Sequence, residues 1–282
     1  MNYSNYCSFF MKISFEKKLF KIKSLLLVIF SMGIWAYFGG LYGRQNNAEL
    51  MGMIFAAIVG VLFVLQYIQL FPLILKRLFS LQAYVSEDIP KGIKIYIVKN
   101  KAPFSICFST FYENYILIST EAQENTEIFH TLLEYEKTRL QRGMGLFHTL
   151  YIWCIGFLPL LLDYIFFIAV RKSILRYLFA FIGNIVRIIT FIYFFLLNLL
   201  FYPPSIVYAN DQIVSLQLKE SQKFIHLLEY LYAEHTKMNF MYFALIPMLV
   251  SGPNTFGGMQ RFWYRYYPDV KERVRFLKNL IA

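Results

Sequence analysis

Charge is scarce in this chain. Only 16% of its 282 residues are Asp, Glu, Lys or Arg, whereas a soluble domain carries about 25%. What takes their place is apolar: 58% of the residues are hydrophobic and 20% aromatic, a composition that excludes an ordinary soluble globule and points to a membrane protein. Cysteine is scarce too. Cys7, Cys107 and Cys154 have no short spacing among them, which excludes a disulfide framework and a cysteine zinc knuckle and leaves each as a small buried hydrophobe. Internal repeats and low-complexity tracts are also lacking.

Four apolar runs are present, over residues 24–43, 51–75, 145–170 and 174–202. At ~1.5 Å per residue, either of the first two is long enough to cross ~30 Å of hydrocarbon. The first is too long for a signal-peptide core, lacks a clear cleavage site and is followed directly by the second. Lys12, Lys17, Lys18, Lys21 and Lys23 precede it against Glu16 alone, while the connection over 44–50 holds one Arg and one Glu. By the positive-inside tendency the N-terminus is cytoplasmic. The net charge of +11 is then carried mainly by membrane-flanking cations facing anionic lipid, and no basic stretch interleaved with aromatics suggests nucleic acid. Arg171, Lys172 and Arg176 conflict with simple alternation, because they fall in the turn between runs three and four. Either that hairpin does not cross fully or its turn is buried in protein.

Polar residues inside the apolar runs attract notice. A lone charge in hydrocarbon is costly, so Asp163 and Arg187 are expected to pair across the second hairpin and hold its register, with a proton or ion pathway as the alternative. Asn184 and Asn198 are candidates for interhelical hydrogen bonds. The aromatic cluster over 262–267 reads as an interfacial belt, and the loop over 251–258 as the most flexible-looking segment.

The remaining segments read as one split domain. Residues 93–98 and 115–119 are β-branched and aromatic and predict strands, with 99–103 as a turn. Thr120 and Gln123 have capping-box spacing, and Ile128, Leu132, Tyr135 and Leu140 predict a helix running to Gly143. A second amphipathic helix is expected over 211–237, and a short basic helix closes the chain after Pro268.

This order of elements resembles the HtpX-type membrane zinc endopeptidases, and more distantly the CAAX prenyl endopeptidases. The local matches are the Pro103-Phe104-Ser105-Ile106-Cys107 turn followed by 115–120, and the ending Tyr267-Pro268, followed by Arg273-Val274 and Leu277, which is similar to the family's His-Pro and Arg-Ile/Val-x-x-Leu helix. The resemblance implies an α-helical membrane protein with a split cytoplasmic α+β zincin-like domain and four apolar segments, in the inner membrane of a bacterium. Its expected parts are a basic N-terminus (1–23), a transmembrane hairpin (24–77), a first half-domain (78–144), a membrane-associated helical hairpin (145–202) and a second half-domain (203–282).

In that family H-E-x-x-H sets two imidazoles on one helical face to grip zinc, while the Glu activates its water. Alignment on Glu134 puts Leu133 and Lys137 where the two His belong. The third ligand, the Glu that opens an E-x-x-x-D pattern, falls on Val207, with Asp211 kept as the supporting acid behind the ligands. Leu and Val offer no donor atom, and a Lys ammonium is repelled by a dication. The resemblance therefore implies a pseudopeptidase, with Glu134 as a vestigial base and no cofactor. A relocated metal site would draw on His130 and His226, helped by Glu136 and Glu229, although these lie in no recognised metal spacing; His148 and His235 are less informative still. The leading functional reading is a non-catalytic membrane protein that holds unfolded polypeptide or a partner membrane protein in the bilayer. The alternatives are an active zinc endopeptidase with an atypical site, and a transporter or signalling component on the same scaffold.

Overall fold

The computed structural model describes residues 3–45, 47–79, 81–84, 92–99, 103–153, 177–178, 181–182, 185, 200–201, 203–218, 221–234 and 270–281. Asp163, Arg187, Asn184, Asn198, Arg171, Lys172, Arg176, Cys154, His235, the loop 251–258 and the aromatic cluster 262–267 lie outside these residues, as do most of the third and fourth apolar runs. The chain forms two compact units. The first comprises Met1–Lys99, Cys107–Leu117 and Glu136–Cys154; the second comprises Asn100–Ile106, Ile118–Tyr135 and Ile155–Ala282.

The first unit is built on a helical hairpin of α1 (Tyr3–Arg44) and α2 (Glu49–Phe79). Ala48 donates its N–H to the Gly43 carbonyl at 2.9 Å to close the turn. Near the turn the two backbones meet through glycine: a Cβ on Gly39 would overlap the Gly52 carbonyl, and one on Gly52 would overlap that of Gly39. Small residues permit this approach, which places more atoms in van der Waals contact than larger side chains would allow. Gly60 lies under Trp35, whose ring stacks on Phe63 with centroids 5.4 Å apart. Farther from the turn the seam continues as Ser31, Leu27, Ser24 and Phe20 of α1 and Val64, Ile68 and Phe71 of α2, all buried.

The outer faces of both helices are apolar and exposed, with Leu25, Leu26, Ile29, Phe38, Phe55, Ile58 and Leu62 turned outward. Ser14–Arg44 and Glu49–Ile74 are long and apolar enough to cross a membrane, and only 22% of each apolar window is buried. The core helix of a soluble body would be mostly covered.

A short helix α5 (Met144–Tyr151) packs against this hairpin. Gly143, at φ 80°, makes the left-handed turn that starts it, and Cβ-free backbone adopts that conformation without strain. Arg142 pairs with Glu16, Phe147 meets Phe20 at 5.4 Å and Trp153 meets Tyr67 at 4.5 Å. The described start of the third apolar run is thus protein core, lying along the hairpin from the end that carries Lys17.

Four strands, β1 (Gln82–Tyr84), β2 (Ile93–Val98), β3 (Ser105–Ser109) and β4 (Asn114–Ser119), form one sheet in the order β1-β2-β4-β3. β1 and β2 are antiparallel, with Ala83 opposite Tyr96. Two of these strands match the β-branched runs. Residues 105–107, expected in a turn, are instead strand: Pro103 ends the preceding connection, and every residue of β3 is buried.

In the second unit Ser119, not Thr120, caps α3 (Thr120–Glu124), its Oγ accepting from the Ala122 N–H. The single helix expected through to Gly143 is two. Asn125 interrupts it, and its Oδ1 accepts from the N–H groups of Glu127 and Ile128 to cap α4 (Thr126–Gln141). Likewise the helix expected over 211–237 is α6 (Pro204–Leu218), opened by proline at its first position, and α7 (Ser221–Glu234). With α8 (Val270–Ile281) these pack around Ile213, Val214, Phe224, Leu228 and Leu277. Phe224 also stacks on Tyr135 of α4 at 5.5 Å.

Candidate functional site

The positions aligned with the zinc-binding motif fall on two helices. In the second unit α4 carries Leu133 and Glu134, while α6 carries Val207 and, one turn on, Asp211. Leu133 and Val207 are 7% and 4% exposed, packed as apolar core. Glu134 is exposed and Lys137, in the first unit, half-buried. Glu134 thus points away from the side of α4 that buries Leu133, and the donor set does not fit zinc: two of the three ligand positions are hydrocarbon enclosed by neighbours. Among the described residues no group of three or more His, Cys, Asp or Glu is disposed to hold a metal ion. His130 and His226 are exposed; His130 meets the Phe129 ring edge-on, and His226 Nδ1 lies 3.9 Å from Glu229.

Asp211 is different. Fully buried, it accepts two hydrogen bonds from Arg273 of α8, Nε to Oδ2 and Nη2 to Oδ1, each 2.6 Å. This is the planar fork-to-fork match that guanidinium makes with carboxylate, and the low-dielectric surroundings strengthen it. Asp211 comes from the motif after the second hairpin and Arg273 from the C-terminal one. In the sequence Arg273 stands inside the terminal motif with no role marked for it; a lone Arg on the face of Val270, Val274 and Leu277 was the available signal.

No protein-family model, curated protein or solved structure matches the chain.

A second buried polar cluster lies wholly in the first unit. Arg139 Nη1 donates to both carboxylate oxygens of Glu136 at 3.0 and 3.2 Å, and Arg139 Nη2 lies 3.3 Å from His148 Nε2. His148 Nδ1 lies 2.9 Å from the Cys107 carbonyl. A carbonyl only accepts and a guanidinium only donates, so the proton sits on Nδ1 and the imidazole is neutral. Burial, and then the Arg139 cation, push its pKa well down. Burial, and then the Glu136 carboxylate, push the Cys107 thiol well up. Next to them Thr149 Oγ1 donates to the Ser109 carbonyl at 2.8 Å.

Cysteine and histidine side by side suggest a nucleophile and its base, yet this pair lacks both roles. The thiol keeps its proton, the imidazole has both nitrogens committed, and Cys107, Glu136 and His148 are each 0% exposed. The cluster holds α4, α5 and β3 together. Reading the sequence missed it because His148 lies in an apolar run; the i, i+3 spacing of Glu136 and Arg139 was the visible half.

Proposed function

We propose that the chain is a non-catalytic membrane protein on an HtpX-like plan, a pseudopeptidase that binds unfolded polypeptide or a partner membrane protein without cutting it. In this reading α1 and α2 span the bilayer with the N-terminus cytoplasmic. The segments on either side of the second apolar hairpin then make a split, zincin-like cytoplasmic domain, and the third and fourth apolar runs complete four membrane-associated segments. The observation that carries the reading is the Asp211–Arg273 pair. The resemblance singles out these two motifs separately, and the supporting acid of one meets the arginine of the other in a buried bidentate bond.

What argues against catalysis is the chemistry of Leu133, Val207 and Lys137. A zinc endopeptidase needs three protein ligands to leave a fourth position for water, and a buried Leu and Val supply none. Glu134, exposed on α4, is turned away from the buried side on which Leu133 lies.

The test is metal content per mole of detergent-purified protein, with cleavage and binding of a labelled unfolded polypeptide assayed in parallel, with and without chelator. The expected result is no co-purifying zinc, no cleavage, and polypeptide binding that neither chelator nor Glu134→Ala alters. Stoichiometric zinc with Glu134-dependent cleavage would overturn the proposal.

A further inference from the structure

The hairpin brings two basic clusters, distant in sequence, to one end of the first unit. Gly39 lies against Ala56, and Gly60 against Trp35. A step of four residues back along α1 is thus matched by a step of four forward along α2. Burial repeats that register farther down: Ser31 with Val64, Leu27 with Ile68 and Ser24 with Phe71 are the residues turned inward. Counted on past Pro72 of α2, the same register pairs Lys18 with Arg77, and the antiparallel hairpin puts both beyond its buried seam. Lys17, Lys18 and Lys21 of α1 and Lys76 and Arg77 of α2 are all exposed.

Nothing acidic on the hairpin offsets them. Glu16 is the only carboxylate before Glu49, and it is turned inward, buried against Arg142 of the segment leading into α5. Arg142 also lies 5.8 Å from the Phe20 ring. The inward pair removes the one local negative charge from the surface. The ion pairs seen among the described residues involve none of the five cations. Immediately beyond them the exposed surface becomes apolar, with Ile22, Leu25, Leu26 and Leu73 facing outward.

We infer that Lys17, Lys18, Lys21, Lys76 and Arg77 form a collar that binds the headgroups of anionic phospholipids, whose acyl chains lie along the adjoining apolar belt of α1 and α2. Cations on two facing helices, directly above an apolar belt, complement a molecule with an anionic head and hydrocarbon tails. A soluble anion would leave the belt uncovered. Cations near an anionic leaflet attract it additively and lose that attraction as salt shortens the Debye length. The inference rests on reading α1 and α2 as a membrane hairpin.

The experiment reconstitutes the full chain into phosphatidylcholine bilayers and compares motional restriction of spin-labelled phosphatidylglycerol with that of spin-labelled phosphatidylcholine. The expected result is a several-fold preference for phosphatidylglycerol that collapses between ~0.1 and ~1 M salt, as screening shrinks from ~10 to ~3 Å, and that K17Q/K18Q/K21Q/K76Q/R77Q removes. K76Q/R77Q alone lowers it in part, which keeps the test decisive if the fivefold variant misfolds; the salt series needs no variant at all. Equal restriction of both lipids, unaffected by salt, would overturn the collar and leave the hairpin reading in place. No restricted lipid of either kind would overturn the hairpin reading, and the collar with it.

Discussion

Arg273 holds Asp211 in a two-pronged hydrogen bond, 2.6 Å on each prong, between residues 62 positions apart and both without solvent exposure. The bond ties α8 to the middle of α6. Removing either partner leaves an uncompensated buried charge, so Asp211→Asn or Arg273→Met is expected to cost ~3–5 kcal/mol. The double variant Asp211→Leu/Arg273→Met recovers much of that loss, since it buries no charge. Denaturant unfolding in detergent measures both; single variants with an unchanged midpoint would mean that the pair carries no stability.

The neutral His148 imidazole gives the first unit an acid sensitivity with a defined sign. Its folded pKa is pushed well below the ordinary value near 6.5 by burial and then by Arg139, so the unfolded chain takes up a proton first. The contribution of His148 is fully present above about pH 6.5 and is lost as the pH falls below it, by up to ~1.4 kcal/mol per pH unit. The difference in unfolding free energy between wild type and His148→Leu, followed from pH 8 to pH 5, checks this. A pH-independent difference would contradict the assigned neutral state.

Cys107 is expected to resist alkylation. Its thiol is buried, with a raised pKa, so little thiolate exists near neutral pH and none of it is accessible. In a Cys7→Ser/Cys154→Ser background, maleimide labelling should be absent in the folded protein and complete after unfolding. Fast labelling of the native protein would show that the cluster opens.

Gly39 and Gly52 set the spacing of the hairpin. Gly39→Ile drives a side chain into the Gly52 carbonyl and should destabilise by ~1–3 kcal/mol or more, as overpacking does. Gly33→Ile is the control, since nothing lies within 4 Å of a Cβ there. Thermal melts in detergent that moved equally for the two would argue against the seam.

Part of this was legible in the sequence. Residues 93–98 and 115–119 read as strands because β-branched side chains leave the backbone few other choices, and the first two apolar runs read as long helices. Ser105–Ser109 did not, since Pro103 suggested a turn and a five-residue strand carries little periodicity. Asn125 divides a helix that its apolar spacing joins, because a cap acts through one side-chain oxygen that a hydrophobic pattern does not register. At the candidate site, Leu133 and Val207 showed directly that two aligned positions are hydrocarbon, and Lys137 that the third carries a cation; that Glu134 is exposed while Asp211 is buried was not visible.

The sequence by itself determined the apolar character of α1 and α2 over residues 24–43 and 51–75 and the hydrocarbon side chains at Leu133 and Val207, because these follow from which side chains are present and how they repeat. Only the tertiary structure decided which charges are neutralised. Arg142 finds Glu16 and Arg273 finds Asp211 through distances and angles between segments far apart in the chain, and a buried charge persists only where such a partner is brought to it.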